Sequence, residues 1–269
     1  MICFPNAKIN LGLSVLEKRT DGMHNIETCY IPIPLFDILE IKKSKDFSVT
    51  YFGLPIPGDY VDNIIVKAWN LLLSEKKNIH SVDVCLYKNI PIGSGLGGGS
   101  SNAAFFLMAM NKLLSLGFSN FDLERMAGEI GSDCPFFIVN ESVIATGTGN
   151  KFSPIINPVG GMFITIVFPN INISSKDAYS KVRPAGNYIL NTILSGERSS
   201  WKRDLKNDFE KTILHDFPEI EKIKGSLYNL GALYASLTGS GSAVYALSTK
   251  PLNTMVFEDQ FTVWTGILD

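Results

Sequence analysis

The chain has 269 residues, enough for one large or two medium domains with a substantial core, and 45% of them are hydrophobic against 19% charged. A net charge of −2 favours neither nucleic acid nor a membrane surface as a partner. No signal-peptide pattern or bilayer-length apolar run is present, and Cys3, Cys29, Cys85 and Cys134 lack metal or redox spacing, so a cytoplasmic protein is expected.

From the start, residues 7–15 alternate. Ala7, Ile9, Leu11, Leu13 and Val15 share one face, and Lys8, Asn10, Gly12 and Ser14 the other. This pattern predicts a half-buried strand with Lys8 and Asn10 side by side on its polar face. Lys8 is then either a solvated edge lysine or a site residue. Asp21-Gly22 between two strand-like runs predicts a hairpin, with His24 just past the turn, where a surface role is the commoner one. Pro32 and Pro34 mark Ile31–Ile41 as edge strand or irregular chain. A short strand is expected at Phe47–Phe52, then a helix capped by Asp62 and running to Leu73. Val82–Tyr87 reads as a strand.

The next stretch is the most informative in the sequence. Five glycines fall within Gly93–Gly99, Ser100, Ser101 and Asn102 follow, and Ala103, Ala104, Leu107, Met108 and Leu114 then recur at helical spacing. A flexible backbone loop running into a helix N-terminus suits an anion, most often phosphate, because unpaired N–H groups can approach it without Cβ interference. A P-loop is excluded, since Gly99 stands where its lysine belongs. Gly93-x-Gly95-x-x-Gly98 matches the dinucleotide fingerprint, but Lys88–Pro91 separate it from its strand and no strand-end acid follows.

Beyond the helix at 101–116, Asp122 is expected to cap a second helix that Gly131 ends. Asp133, between Gly131-Ser132 and Cys134-Pro135, lies on a tight bend. It is either an Asx-turn residue or a carboxylate aimed into a cleft. Val143–Thr146 reads as a strand, and 147–160, rich in Gly, Pro and Asn, as a domain boundary. Met162–Phe168 is a buried strand; Asp177–Val182 is helical, ended by Pro184 and Gly186. Pro218 opens a helix that ends near Gly231. Two strands, Leu233–Leu237 and Ala243–Leu247, flank the turn Thr238-Gly239-Ser240-Gly241-Ser242, and Phe261–Leu268 is the last strand. Strands and helices without strict alternation give an α+β class in two domains, 1–158 and 159–269.

Three motifs in order, Pro5–Leu11, Pro91–Ala104 and Leu237–Ala243, resemble those of the GHMP small-molecule kinases over essentially the whole chain. Asp21–His24, Gly131–Phe137 and Asn207–Glu210 make the likeness strongest to members that act on a cytidyl diphosphate substrate. The resemblance implies a ribosomal-S5-like N-terminal domain, a ferredoxin-like C-terminal domain and substrates bound in the cleft between them. It implies ATP, with Mg²⁺, on Pro91, Gly93, Ser94, Gly95, Leu96, Gly97, Gly98, Gly99, Ser100 and Ser101, and Asn63 near the adenine. Lys8 and Asp133 match the catalytic pair. Asn10, His24, Ser175 and Tyr179 match substrate positions, His24 reading the cytosine edge and Tyr179 stacking on the base. Met23 departs from the aromatic usual there, and Ser174-Ser175-Lys176 lacks the usual prolines. A monomer or weak homodimer is expected. A different GHMP kinase, such as one for homoserine or mevalonate, an NAD-dependent oxidoreductase and a non-catalytic nucleotide-binding module are the competing readings. The third is disfavoured by the presence of both Lys8 and Asp133.

Overall fold

The Asp-Gly turn forms where the alternation breaks. In a computed structural model, which describes residues 1–184 and 190–268, Gly22 takes φ +85° and joins two 13-residue strands. The strands are β1 (Ile2–Cys3), β2 (Asn6–Lys18), β3 (His24–Phe36), β4 (Ile38–Lys43), β5 (Ser48–Gly53), β6 (Val82–Lys88), β7 (Val143–Thr146), β8 (Lys151–Pro154), β9 (Phe163–Phe168), β10 (Tyr234–Leu237), β11 (Val244–Ser248) and β12 (Thr262–Ile267). The helices are α1 (Ile64–Glu75), α2 (Gly98–Leu113), α3 (Asn120–Ile130), α4 (Cys134–Val139), α5 (Ser175–Lys181), α6 (Leu190–Ser195), α7 (Trp201–Asp204), α8 (Glu210–Asp216), α9 (Pro218–Asn229) and α10 (Met255–Glu258). The class is α+β, as expected. Gly186 lies outside the described residues.

Two compact units emerge, neither continuous in sequence. The first comprises Met1–Ala7, Leu35–Ile92 and Gly97–Glu141; the second comprises Lys8–Pro34, Gly93–Leu96 and Ser142–Asp269. The glycine stretch is thus divided between them.

In the first unit a sheet of order β1-β4-β6-β5 is antiparallel except for the β5–β6 pair. Alternation works here: Leu39, Ile41, Val82, Val84 and Leu86 are buried, while Ile38, Phe52 and Tyr87 face outward. Helices α1 to α4 pack on one another around Phe106, Leu107, Met110, Phe136 and Phe137. Two expected caps move. Helix α1 is capped by Asn63, whose Oδ1 accepts from Ile65 N at 2.9 Å, and Asp62 falls in a single 3₁₀ turn before it. Helix α3 starts at a Ser119 cap, with Asp122 as the returning member of a capping box. Gly131 does end that helix, but as an extended C-cap at φ −177° and not in the left-handed region. Helix α2 begins three residues before the expected Ser101, inside the glycine run.

The second unit holds two sheets, of order β2-β3-β7-β8 and β10-β11-β9-β12. Counting the strands of the latter 1 to 4 along the chain, the spatial order is 2-3-1-4 with every pair antiparallel. Helices lie in the two crossovers, which is the ferredoxin-like arrangement. Strand β3 stays regular through Pro32 and Pro34, because its register with β7 covers only Thr28–Tyr30. The Gly- and Pro-rich segment 147–160 is not loop throughout. It contains β8, paired antiparallel with β7.

The largest departure from expectation is β2. Both of its faces are buried through Val15, so it is not half-buried. Leu13 and Val15 join the core of Phe209, Ile213, Leu237 and Val244. The polar face is covered too: Lys8, Asn10 and Ser14 are buried, and Leu190 and Leu205 stand over Gly12. Chain from far along the sequence closes the edge of β2, where Leu13 N donates to Lys206 O at 2.8 Å, Val15 N to Asp208 Oδ2 at 2.7 Å, and Tyr245 Oη to Asn10 O at 2.8 Å.

Candidate active site

The glycine stretch needs its glycines for identifiable reasons. Gly93, Gly95 and Gly97 take φ of +68°, +79° and +73°, a region costly for residues with a Cβ. In the second unit a Cβ on Gly95 would stand 2.0 Å from Thr238 O, so no side chain fits there. Ser94 O accepts from Ala243 N at 3.1 Å, so the first half of the loop rests on the turn after β10. In the first unit Gly97 caps the 16-residue helix α2 with no side chain, and Gly99 has open space where a Cβ would be. The first-turn N–H groups of α2 therefore end in an unobstructed backbone, which suits phosphate. Ser101 Oγ is buried without a hydrogen-bond partner. An orphaned hydroxyl in the first turn of that helix fits a site built for a polyanion and its cation.

Lys8 is fully enclosed, so the edge-lysine alternative fails. Its Nζ donates to Asn10 Oδ1 at 2.5 Å and lies 5.0 Å from the Tyr30 ring centroid; its backbone N donates to Leu96 O at 2.9 Å. Asn10 in turn donates from Nδ2 to Thr28 Oγ1 at 3.0 Å and from its backbone N to Thr238 Oγ1 at 3.2 Å. Thr238 Oγ1 also donates to Gly95 O at 3.2 Å. One hydroxyl thus ties the Lys8–Asn10 strand to the glycine loop. Asn207 Nδ2 fixes this turn from behind, donating to Leu237 O at 3.0 Å and Gly239 O at 2.9 Å.

Asp133 sits at the N-cap of α4, half-buried, at φ −83° and ψ −14°. Its side chain does not cap the helix. His24 and Tyr179 lie face to face, ring centroids 5.2 Å apart at 21°, and Tyr179 meets the edge of Phe209 at 4.9 Å. Partial burial, with Lys18 nearby, lowers the His24 pKa and keeps the ring neutral at pH 7. Ser175 opens α5 and pairs with Ser240 Oγ at 3.1 Å.

Comparison with known proteins was decisive. The family model described as "GHMP kinases N terminal domain" matches residues 63–141, and that described as "GHMP kinases C terminal" matches 193–253. A 4-diphosphocytidyl-2-C-methyl-D-erythritol kinase of Parabacteroides distasonis is 45% identical over all of both chains. One from Bacteroides fragilis is 44% identical over 99% of this chain and 100% of its own. The chain belongs to the GHMP kinases. A solved structure of a 4-(cytidine 5'-diphospho)-2C-methyl-D-erythritol kinase superposes on this GHMP kinase with a TM-score of 0.84 at 28% identity, covering 99% of this chain and 98% of that one. The two-domain family architecture, ribosomal-S5-like then ferredoxin-like, is therefore that of this chain.

Within this GHMP kinase the second unit brings together Lys8, Asn10 and Gly93–Leu96, and separately His24, Tyr179 and Ser175. The first unit holds Asn63, Pro91, Gly97–Ser101 and Asp133. Asn63 spends its side-chain oxygen on the α1 cap, leaving its amide N–H₂ as the group able to meet a base. Reading the sequence missed Thr238, Thr28 and Tyr245. Only the Thr-Gly-Ser-Gly-Ser run hinted at the first, and nothing local marks the others. No helix among the described residues is long and apolar enough to cross a membrane.

Proposed function

We propose that this kinase transfers the γ-phosphoryl group of ATP to the 2-hydroxyl of 4-diphosphocytidyl-2-C-methyl-D-erythritol, a step of isopentenyl diphosphate biosynthesis by the non-mevalonate pathway. The observation that carries the reading is the 45% identity over the full length of both chains to a kinase of that name. ATP lies with its phosphates on Pro91 and Gly93–Ser101 and its adenine near Asn63. When bound, Mg²⁺ would offset the charge of the phosphates; among the described residues no cluster of three or more His, Cys, Asp or Glu side chains could hold it, and Ser101 Oγ is the protein group that would face it.

Phosphoryl transfer through a loose transition state depends on positioning and charge stabilisation more than on covalent help. Asp133 receives the proton of the attacking hydroxyl and orients it, and Lys8 offsets the charge that develops. The short Lys8–Asn10 hydrogen bond, with Asn10 held by Thr28 and Thr238, supports a fixed ammonium and not a mobile one. Asn10, His24, Ser175 and Tyr179 bind the cytidyl substrate. A neutral His24 carries a donor on one ring nitrogen and an acceptor on the other, and either can meet one polar atom of the cytosine edge. The enzyme is proposed to act in the cytoplasm as a monomer or weak homodimer. The family modules are proposed to divide at residue 158, a placement supported by the two family models falling on either side of it.

A coupled ADP-release assay tests the reading. Turnover is expected with the cytidyl substrate and not with mevalonate or homoserine; turnover of either of those in its place would overturn it. His24→Ala should raise KM for the cytidyl substrate about tenfold or more, equivalent to ~1.4 kcal/mol, and weaken its preference for cytidine over uridine. Unchanged KM and base preference would leave Asp21–His24 as a turn only.

A further inference from the structure

Asp37, between β3 and β4, is completely buried, and its carboxylate collects four donors. Oδ1 accepts from the backbone N of Asn89 at 2.7 Å and of Ile90 at 2.8 Å. Oδ2 accepts from Asn102 Nδ2 at 2.8 Å and from Lys88 Nζ, itself buried at the end of β6. These four partners occupy the acceptor sites of both carboxylate oxygens. Its donors come from two places. Asn89 and Ile90 lead from β6 into the glycine stretch, and Asn102 lies on the first turns of α2, which receive that stretch. Lys88 Nζ and Ile90 Cγ2 stand beneath α2, each 2.8 Å from where a Cβ on Gly98 would be.

We infer that Asp37 is a positioning residue for ATP: a single buried carboxylate pins both ends of the segment between β6 and α2, and so fixes the backbone donors offered to the phosphates. The inference rests on the kinase reading above and adds a residue that touches no substrate. Two facts decide how it must be tested. Burial already lowers the Lys88 pKa, opposed by Asp37, so removing Asp37 alone would strand an ammonium in a dry site. The loop's geometry serves ATP, so its loss should spare the other substrate.

The experiment is steady-state kinetics on the full chain, varying ATP and the cytidyl diphosphate substrate in turn, with thermal melts alongside. Turnover by the unaltered chain judges the kinase reading on its own. If that substrate is not turned over, titration with a non-hydrolysable ATP analogue reads the same variants. Asp37→Ala combined with Lys88→Met leaves no unpaired charge and should raise KM for ATP, or weaken analogue binding, at least about tenfold, while KM for the second substrate stays within about twofold. Asn102→Ala leaves the ion pair intact, cuts only the tie to α2, and should give a rise of about three- to fivefold confined to ATP. A folded double variant with unaltered KM for ATP, or with both KM values rising in proportion, overturns the inference. If the double variant does not fold, Asn102→Ala decides alone, and an unchanged KM for ATP overturns it.

Discussion

Asp133→Asn should bind both substrates as the unaltered chain does and lose about 10²-fold or more in kcat, close to 2.7 kcal/mol of transition-state stabilisation. The amide has the shape of the carboxylate and cannot take a proton. Because the Asp133 side chain does not cap α4, the exchange removes no helix-capping hydrogen bond, and a thermal melt alongside reads any effect on folding. The comparison of kcat, both KM values and the melt is therefore direct. Turnover within about twofold of the unaltered chain would take Asp133 out of proton transfer.

Gly97→Val should abolish measurable ATP binding while the chain still folds. At φ +73° a side chain costs roughly 1–2 kcal/mol, and a β-branched one more, so the residue that opens α2 would leave the left-handed region and turn the first N–H groups away. Gly95→Ala provides the contrast. Its Cβ would meet backbone, Thr238 O at 2.0 Å, so it should lower the melting temperature as well. Titration with ATP and a thermal melt separate the two. Normal ATP affinity in a folded Gly97→Val chain would place the phosphates elsewhere.

Signals carried by neighbouring residues were readable in the sequence. The glycine run, the Asp21-Gly22 turn, β9 and the Pro218 helix start each follow from local backbone chemistry, and each stands within a few residues of where that chemistry puts it. Helix caps were misplaced where two acceptors compete: Asn63 beside Asp62, and Ser119 three residues before Asp122 in one capping box. What could not be read was the effect of distant chain. Strand β2 alternates like a half-exposed strand, yet Leu190 and Leu205 cover its polar face, and Lys206, Asp208, Thr238 and Tyr245 close its edge. Asp37 shows the same blindness, since a lone acid between two strands gives no sign of the four donors that converge on it. The proposed catalytic residues were legible only through their motifs; composition and periodicity gave Lys8 and Asp133 two readings each.

The long reach of β2 bears on how the protein is made. Lys8 and Asn10 leave the ribosome long before their partners: the hydroxyls of Thr238 and Tyr245 that hold Asn10 arrive 228 and 235 positions later. Contacts so far apart in sequence close slowly, and until they do a strand of alternating apolar residues is only partly covered. A nascent chain halted near residue 230 would already carry the glycine loop, Lys8, Asp133 and His24, but not the Leu237–Ala243 motif. It would still be an aggregation-prone intermediate in which the Asn10 backbone lacks the two hydroxyls that hold it in the folded chain. Competence arrives with the last hairpin of the chain.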